Sequence, residues 1–142
     1  MVRLLLVWVH VSAATAWVGG LLYGSHLVVP GLQRGERAYA ALLRRGRLIS
    51  VSALGLLVAT GLLNWAWLGL KSYWLFGKLL LVLALVPLAV QRDFGLLPVA
   101  LAQIERGGDP RVALRAVRAL DRVVVLLALG VLFLAVGLAR GR

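Results

Sequence analysis

The sequence contains no cysteine, which excludes disulfides, thiolate metal sites and thiol redox chemistry. Acidic residues are nearly as scarce: 5 Asp and Glu stand against 16 Lys and Arg in 142 residues, for a formal net charge of +11. With 2 histidines and 1 methionine, side chains able to ligate a metal are few. The long apolar runs hold no carboxylate, so the paired acids of glycosidase- or protease-type hydrolysis are not expected in a membrane layer. No cleavable signal peptide is expected either, because the first apolar run is too long for an h-region and has no convincing cleavage site.

What the chain has in excess is apolar sequence. Hydrophobic residues make up 62% of it and the mean hydropathy is +0.95. A soluble domain averages about 45–50% apolar residues, and a chain this short has too much surface to hide the surplus in one core. The composition therefore predicts an integral membrane protein. A basic balance often signals nucleic acid. Here the charges gather between the apolar runs, the pattern that orients membrane segments, so nucleic acid is not an expected partner.

Four runs are each long enough to cross a core that takes about 20 helical residues. They cover about residues 4–30, 48–70, 73–90 and 120–139, the last apolar from Val123. The connections are short, so residues 1–142 read as one all-α domain, a membrane four-helix bundle. Pro87 removes a backbone donor within the third run and is a candidate kink. Arg34, Arg37, Arg44, Arg45 and Arg47 fill the first connection; Arg92, Arg106, Arg111, Arg115 and Arg118 fill the third, with Arg122 at the mouth of the last run. The second connection holds only Lys71, and the ends hold Arg3, Arg140 and Arg142. The positive-inside rule places connections one and three in the cytoplasm and both termini outside. Trp8, Trp65, Trp67 and Trp74 then fall near the outer boundary, as an aromatic belt does.

The cytoplasmic stretches are expected to be helical extensions of the spans. Gly107-Gly108-Asp109-Pro110 reads as a turn, with Asp109 as N-cap and Pro110 as first helical residue. Arg111, Arg115, Arg118 and Arg122 follow at spacings of four, three and four, along one helix face. That stripe faces either solvent and lipid phosphate or an anionic ligand. Asp121 is expected to pair with one of these arginines.

Two ionisable residues lie about seven positions inside apolar sequence, His10 in the first run and Lys78 in the third. Ionisable groups in a membrane are costly and need a reason. The topology puts both at similar depth near the outer face, and Asn64 near the end of the second run joins their layer. An imidazole, an amine and an amide in one layer of a bundle suit a metal or cofactor site. Against that, Lys78 can snorkel to the interface and His10 can simply hydrogen-bond a neighbour. His26 follows His10 by 16 residues, about 24 Å of helix, so the two cannot share one metal. It is expected at the cytoplasmic boundary near Arg47. Trp17 shares His10's face seven residues on, and Gly19, Gly20 and Gly24 offer close helix approach or room for a flat macrocycle. Ser50, Ser52, Thr60 and Gly61 give the second run a similar small, slightly polar character.

These residues resemble the HemJ and CopD group of small bacterial membrane proteins, nearly over the whole length. His10, Trp17, Gly20 and Tyr23 have the spacing of the HemJ first-helix motif. Arg47-Leu48 opens the second run as an Arg-Leu pair does there, Trp74 and Lys78 match Trp-x-x-x-Lys, and Arg118-Ala119-Leu120-Asp121 resembles Arg-Ala-Leu-Asn. The chain departs where HemJ has an arginine three residues after its tyrosine and His26 stands here. It departs again near Gly31, where a family histidine has no counterpart. Trp17-Val18-Gly19-Gly20 is closer to CopD.

The HemJ resemblance implies a protein of the bacterial inner membrane with a b-type haem, His10 and Lys78 as axial ligands, and protoporphyrinogen IX oxidised with an acceptor such as quinone. Trp17 and Asn64 would line the cofactor, and arginines such as Arg47 and Arg118 would hold propionates. The CopD side implies copper handling, for which two distant histidines and Met1 are a poor set. A non-catalytic assembly subunit or homo-oligomer, packed through the glycine faces, is the third reading.

Overall fold

The computed structural model describes residues 1–68 and 73–140, without the side chains of Arg3, Leu68 and Leu138. The expectations resting on Leu70, Lys71, Arg142 and the Arg3 side chain lie outside the described residues. Among the described residues there is no strand. The helices are α1 (Val2–Tyr23), α2 (Val29–Gln33), α3 (Tyr39–Leu68), α4 (Tyr73–Val90), α5 (Leu97–Glu105) and α6 (Arg111–Arg140). Two π-helical turns, Gly24–Val28 and Gln91–Leu96, join α1 to α2 and α4 to α5, so those pairs run on as continuous rods.

Among the described residues four helices are thus long and apolar enough to cross a membrane: Leu4–Gln33, Tyr39–Trp67, Tyr73–Glu105 and Arg111–Gly137. At 1.5 Å per residue each is about 40–50 Å long, more than the roughly 30 Å of a bilayer core. The helical extensions expected from the sequence are present. The second rod starts at Tyr39 rather than near residue 48, and the third continues to Glu105 rather than ending near residue 90. The reason lies in the pattern. Ala89, Arg92, Leu97 and Leu101 keep a buried stripe going past the apolar run, as Leu114, Val117 and Asp121 do ahead of Val124. Helix continues through Pro87, and the backbone widens four residues later, in the π turn that begins at Gln91.

Gly35 and Gly107, at φ 90° and 71°, make the turns of the first and third connections, a left-handed conformation open to glycine without strain. Asp109 Oδ1 accepts the Arg111 backbone N–H at 3.0 Å, which is the expected cap, and Pro110 stands in the first turn behind it.

The rods pack as two antiparallel pairs, α1 with α3 and α4 with α6. In the second pair glycines set the spacing: a Cβ on Gly130 would stand 3.0 Å from Leu81, and one on Gly137 would stand 2.6 Å from the Trp74 ring. Trp74 also meets Phe133 edge to face at 6.5 Å between centroids. Among the described residues α1 makes no close backbone approach to α4 but does approach α6 of the other hairpin. The two hairpins meet through two stacked cores. One gathers Trp17, Leu21, Ala53, Leu85 and Val124 at mid-length. The other gathers Val29, Leu32, Leu43, Leu97 and Leu114 near the 34–38 and 106–110 connections.

Candidate functional site

The polar layer in the half with the chain ends is built around His10. Ala13, Trp17 and Leu21 bury one face of α1, and His10 lies on that face one turn earlier, half-buried. Its Nδ1 stands 2.8 Å from Thr60 Oγ1 on α3. The Thr60 hydroxyl gives its single proton to the Leu56 carbonyl at 2.6 Å, so Oγ1 accepts and the imidazole Nδ1–H donates. Nε2 then carries the lone pair of the neutral ring, and it makes no hydrogen bond among the described residues. Gly61 lies beside the ring, where a Cβ would stand 3.4 Å from Cε1. A second-sphere acceptor on one nitrogen with the other left open is the usual arrangement of a ligating histidine.

Asn64 lies half-buried one turn beyond Thr60, on the same side of α3. Lys78 is half-buried, on the face of α4 that also buries Leu75 and Leu85, and it has no hydrogen-bond or ion-pair partner among the described residues. Ser50 and Asp93 touch, so depth can be counted from them. Thr60 is ten residues out along α3, about 15 Å, and Lys78 fifteen residues out along α4, about 22 Å. The Lys78 backbone therefore lies further out than Thr60 by a little over one helical turn.

The other predicted residues are not brought to His10. Trp17 is 3% exposed and its indole N–H donates to Ser50 Oγ at 3.1 Å, a full two turns away from the imidazole. Arg47 lies thirteen residues from Thr60 along α3, about 20 Å, and covers the Phe94 ring at 5.2 Å. Arg118 faces a surface hollow near the connections, with Nη1 donating to Gln33 Oε1 at 3.4 Å. His26 is exposed, and its Nδ1 is taken up by Ser25 Oγ at 2.9 Å and the Leu22 carbonyl at 3.0 Å. Gly19 and Gly20 face open space, and a Cβ on Gly24 would make an ordinary contact with Arg92 Nη2 at 3.5 Å, so none of the three sets a close helix approach.

A second constellation was not foreseen. Trp17 donates to Ser50, Ser50 Oγ donates to Asp93 Oδ2 at 2.9 Å, and Arg92 Nη1 donates to Asp93 Oδ1 at 2.5 Å. Arg92 Nε donates to Asp121 Oδ1. The chain of contacts therefore crosses all four rods. The three charged side chains are at most 5% exposed. Two expectations are corrected here. Asp121 pairs with Arg92 of the third rod and not with an arginine of its own helix. Carboxylates are also present between the rods, because the third and fourth helices extend beyond their apolar runs. The π turn explains how consecutive residues Arg92 and Asp93 both reach the interior, since the widened turn changes the side-chain register. One guanidinium serves two carboxylates, and Asp121 Oδ2 is buried with no partner among the described residues. The signal in the sequence was the helical stripe Ala89, Arg92, Leu97, Leu101 running through a segment that reads as a basic connection.

Among the described residues no three of His, Cys, Asp and Glu gather to hold a metal ion. No family model, curated protein or solved structure matches the chain.

Proposed function

We propose that this chain is a redox-active, b-haem-binding protein of the bacterial inner membrane. In this reading the arginine-rich connections face the cytoplasm and both termini lie outside. The observation that carries the reading is the His10–Thr60 pair, which fixes the imidazole through Nδ1 and leaves Nε2 open. Haem brings four nitrogens of its own, so one well-held imidazole suffices where a bare metal ion would need a cluster that is not found among the described residues. The donor set fits haem better than copper for that reason. If haem binds here, His10 of α1 would hold it and Lys78 of α4 would be the second candidate ligand. When bound, haem supplies one-electron redox chemistry; the protein supplies the ligand and its orientation. The resemblance to HemJ makes protoporphyrinogen IX oxidation the reaction to test, with quinone as acceptor. Trp17, Arg47 and Arg118 take no part in holding the ring in this reading, being committed elsewhere.

The test is an absorption spectrum, oxidised and reduced, of protein purified in detergent from cells supplied with a haem precursor. A Soret band that co-purifies with the protein supports the reading; colourless protein after haem supplementation overturns it.

A further inference from the structure

The arginine stripe on α6 borders a hollow. Gln33, Arg111, Arg115, Arg118, Ala119 and Arg122 line about 580 Å³ of open space at its surface. Arg111 has a carboxylate only at 3.9 Å, from Asp109, and Arg115, Arg118 and Arg122 have none within ion-pair distance among the described residues. Asp121, the nearest acid in sequence, is turned inward onto Arg92 and leaves this face uncompensated. Gln33 Oε1 accepts from Arg118 Nη1 at 3.4 Å and so positions one guanidinium over the hollow. Ala119, with its single methyl, leaves the floor open between Arg115, Arg118 and Arg122.

The same face changes character further along. After Arg111, Arg115, Arg118 and Arg122 come Leu126, Leu129 and Phe133, still at spacings of four, three and four. Leu126 is 69% exposed, Leu129 52% and Phe133 70%. One exposed stripe thus offers guanidiniums over its first 16 Å or so and bare apolar side chains beyond. A ligand that matches it has phosphate at one end and hydrocarbon at the other.

We infer that this hollow is a binding site for an anionic phospholipid. Its phosphodiester lies among Arg115, Arg118 and Arg122, and its acyl chains lie along Leu126, Leu129 and Phe133. Guanidinium suits phosphate because its planar fork donates two parallel N–H bonds to a pair of phosphate oxygens. The inference rests on the membrane placement proposed above but not on haem.

The experiment uses the full chain in a neutral detergent, with lipid retention read by native mass spectrometry. Phosphatidylglycerol, phosphatidylcholine and inorganic phosphate are titrated separately. Arg115→Gln and Arg118→Gln are compared with Arg45→Gln, an equal loss of charge elsewhere on the same end. Phosphatidylglycerol is expected to be retained as a discrete adduct in preference to phosphatidylcholine, with affinity about tenfold lower in Arg118→Gln and little changed in Arg45→Gln. An equal loss in all three variants would reduce the effect to diffuse surface charge and overturn the site. Inorganic phosphate binding as tightly as the lipid would assign the hollow to a free anion and overturn the lipid reading. Recovery of all variants from washed membranes keeps a failure of membrane placement apart from a failure of binding.

Discussion

His10 and Thr60, fifty residues apart, are joined by one hydrogen bond whose direction is set from outside it: the Thr60 proton is already spent on the Leu56 carbonyl, so the histidine must donate. That fixes which nitrogen keeps its lone pair free. Thr60→Val keeps the shape and removes this acceptor, so the ring loses the bond that fixes its orientation. Haem affinity, read by titration of the Soret band, is expected to fall about 10- to 100-fold, while Thr60→Ser retains it.

If haem is bound as proposed, Lys78→Leu tests whether Lys78 is a ligand to it. The variant is expected to fold and to keep haem through His10, because Lys78 makes no hydrogen bond or ion pair among the described residues. Its spectrum should move from low-spin to high-spin form. An unchanged spectrum would remove Lys78 from the iron.

The buried Arg92 group makes a prediction independent of haem. Arg92→Leu strands two buried carboxylates and is expected to destabilise the protein by about 3–5 kcal/mol, seen as early unfolding in detergent. Replacing Arg92, Asp93 and Asp121 together with leucine is expected to cost less than replacing Arg92 alone, because no uncompensated charge is left. Ser50→Ala breaks only the link from Trp17 to Asp93 and should cost about 1–3 kcal/mol.

Glycine substitutions should divide by location. In Gly137→Ala the new Cβ meets the Trp74 ring at 2.6 Å, and a rigid indole cannot give way cheaply, so about 1–3 kcal/mol of stability should be lost. Gly19→Ala and Gly20→Ala add a methyl where nothing lies within 4 Å and should be neutral or slightly stabilising, since alanine is the better helix former by about 1 kcal/mol. Thermal unfolding of the three variants in one detergent checks the contrast.

The parts of this architecture that follow from period and length were legible in the sequence. The four rods and the Asp109 cap came from hydropathy and turn residues. Pairings across rods were not legible. Arg92, Asp93 and Asp121 sit where apolar runs stop, and a charge at such a place reads as a solvated connection unless the helix is known to continue. Thr60 was visible only as a small polar residue, because spacing within one helix says nothing about which residue on another helix lies opposite. Trp17 shared His10's face as expected, yet seven residues of helix, about 10 Å, were enough to commit it to a different network.

The most direct test of the account is a haem titration of apo-protein, comparing wild type with His10→Gly, each with and without added imidazole. The wild type should bind with a sharp Soret shift, His10→Gly should lose it, and free imidazole should restore it by standing in for the missing ring. Binding by His10→Gly that matches wild type without imidazole would contradict the assignment of His10 as the iron ligand.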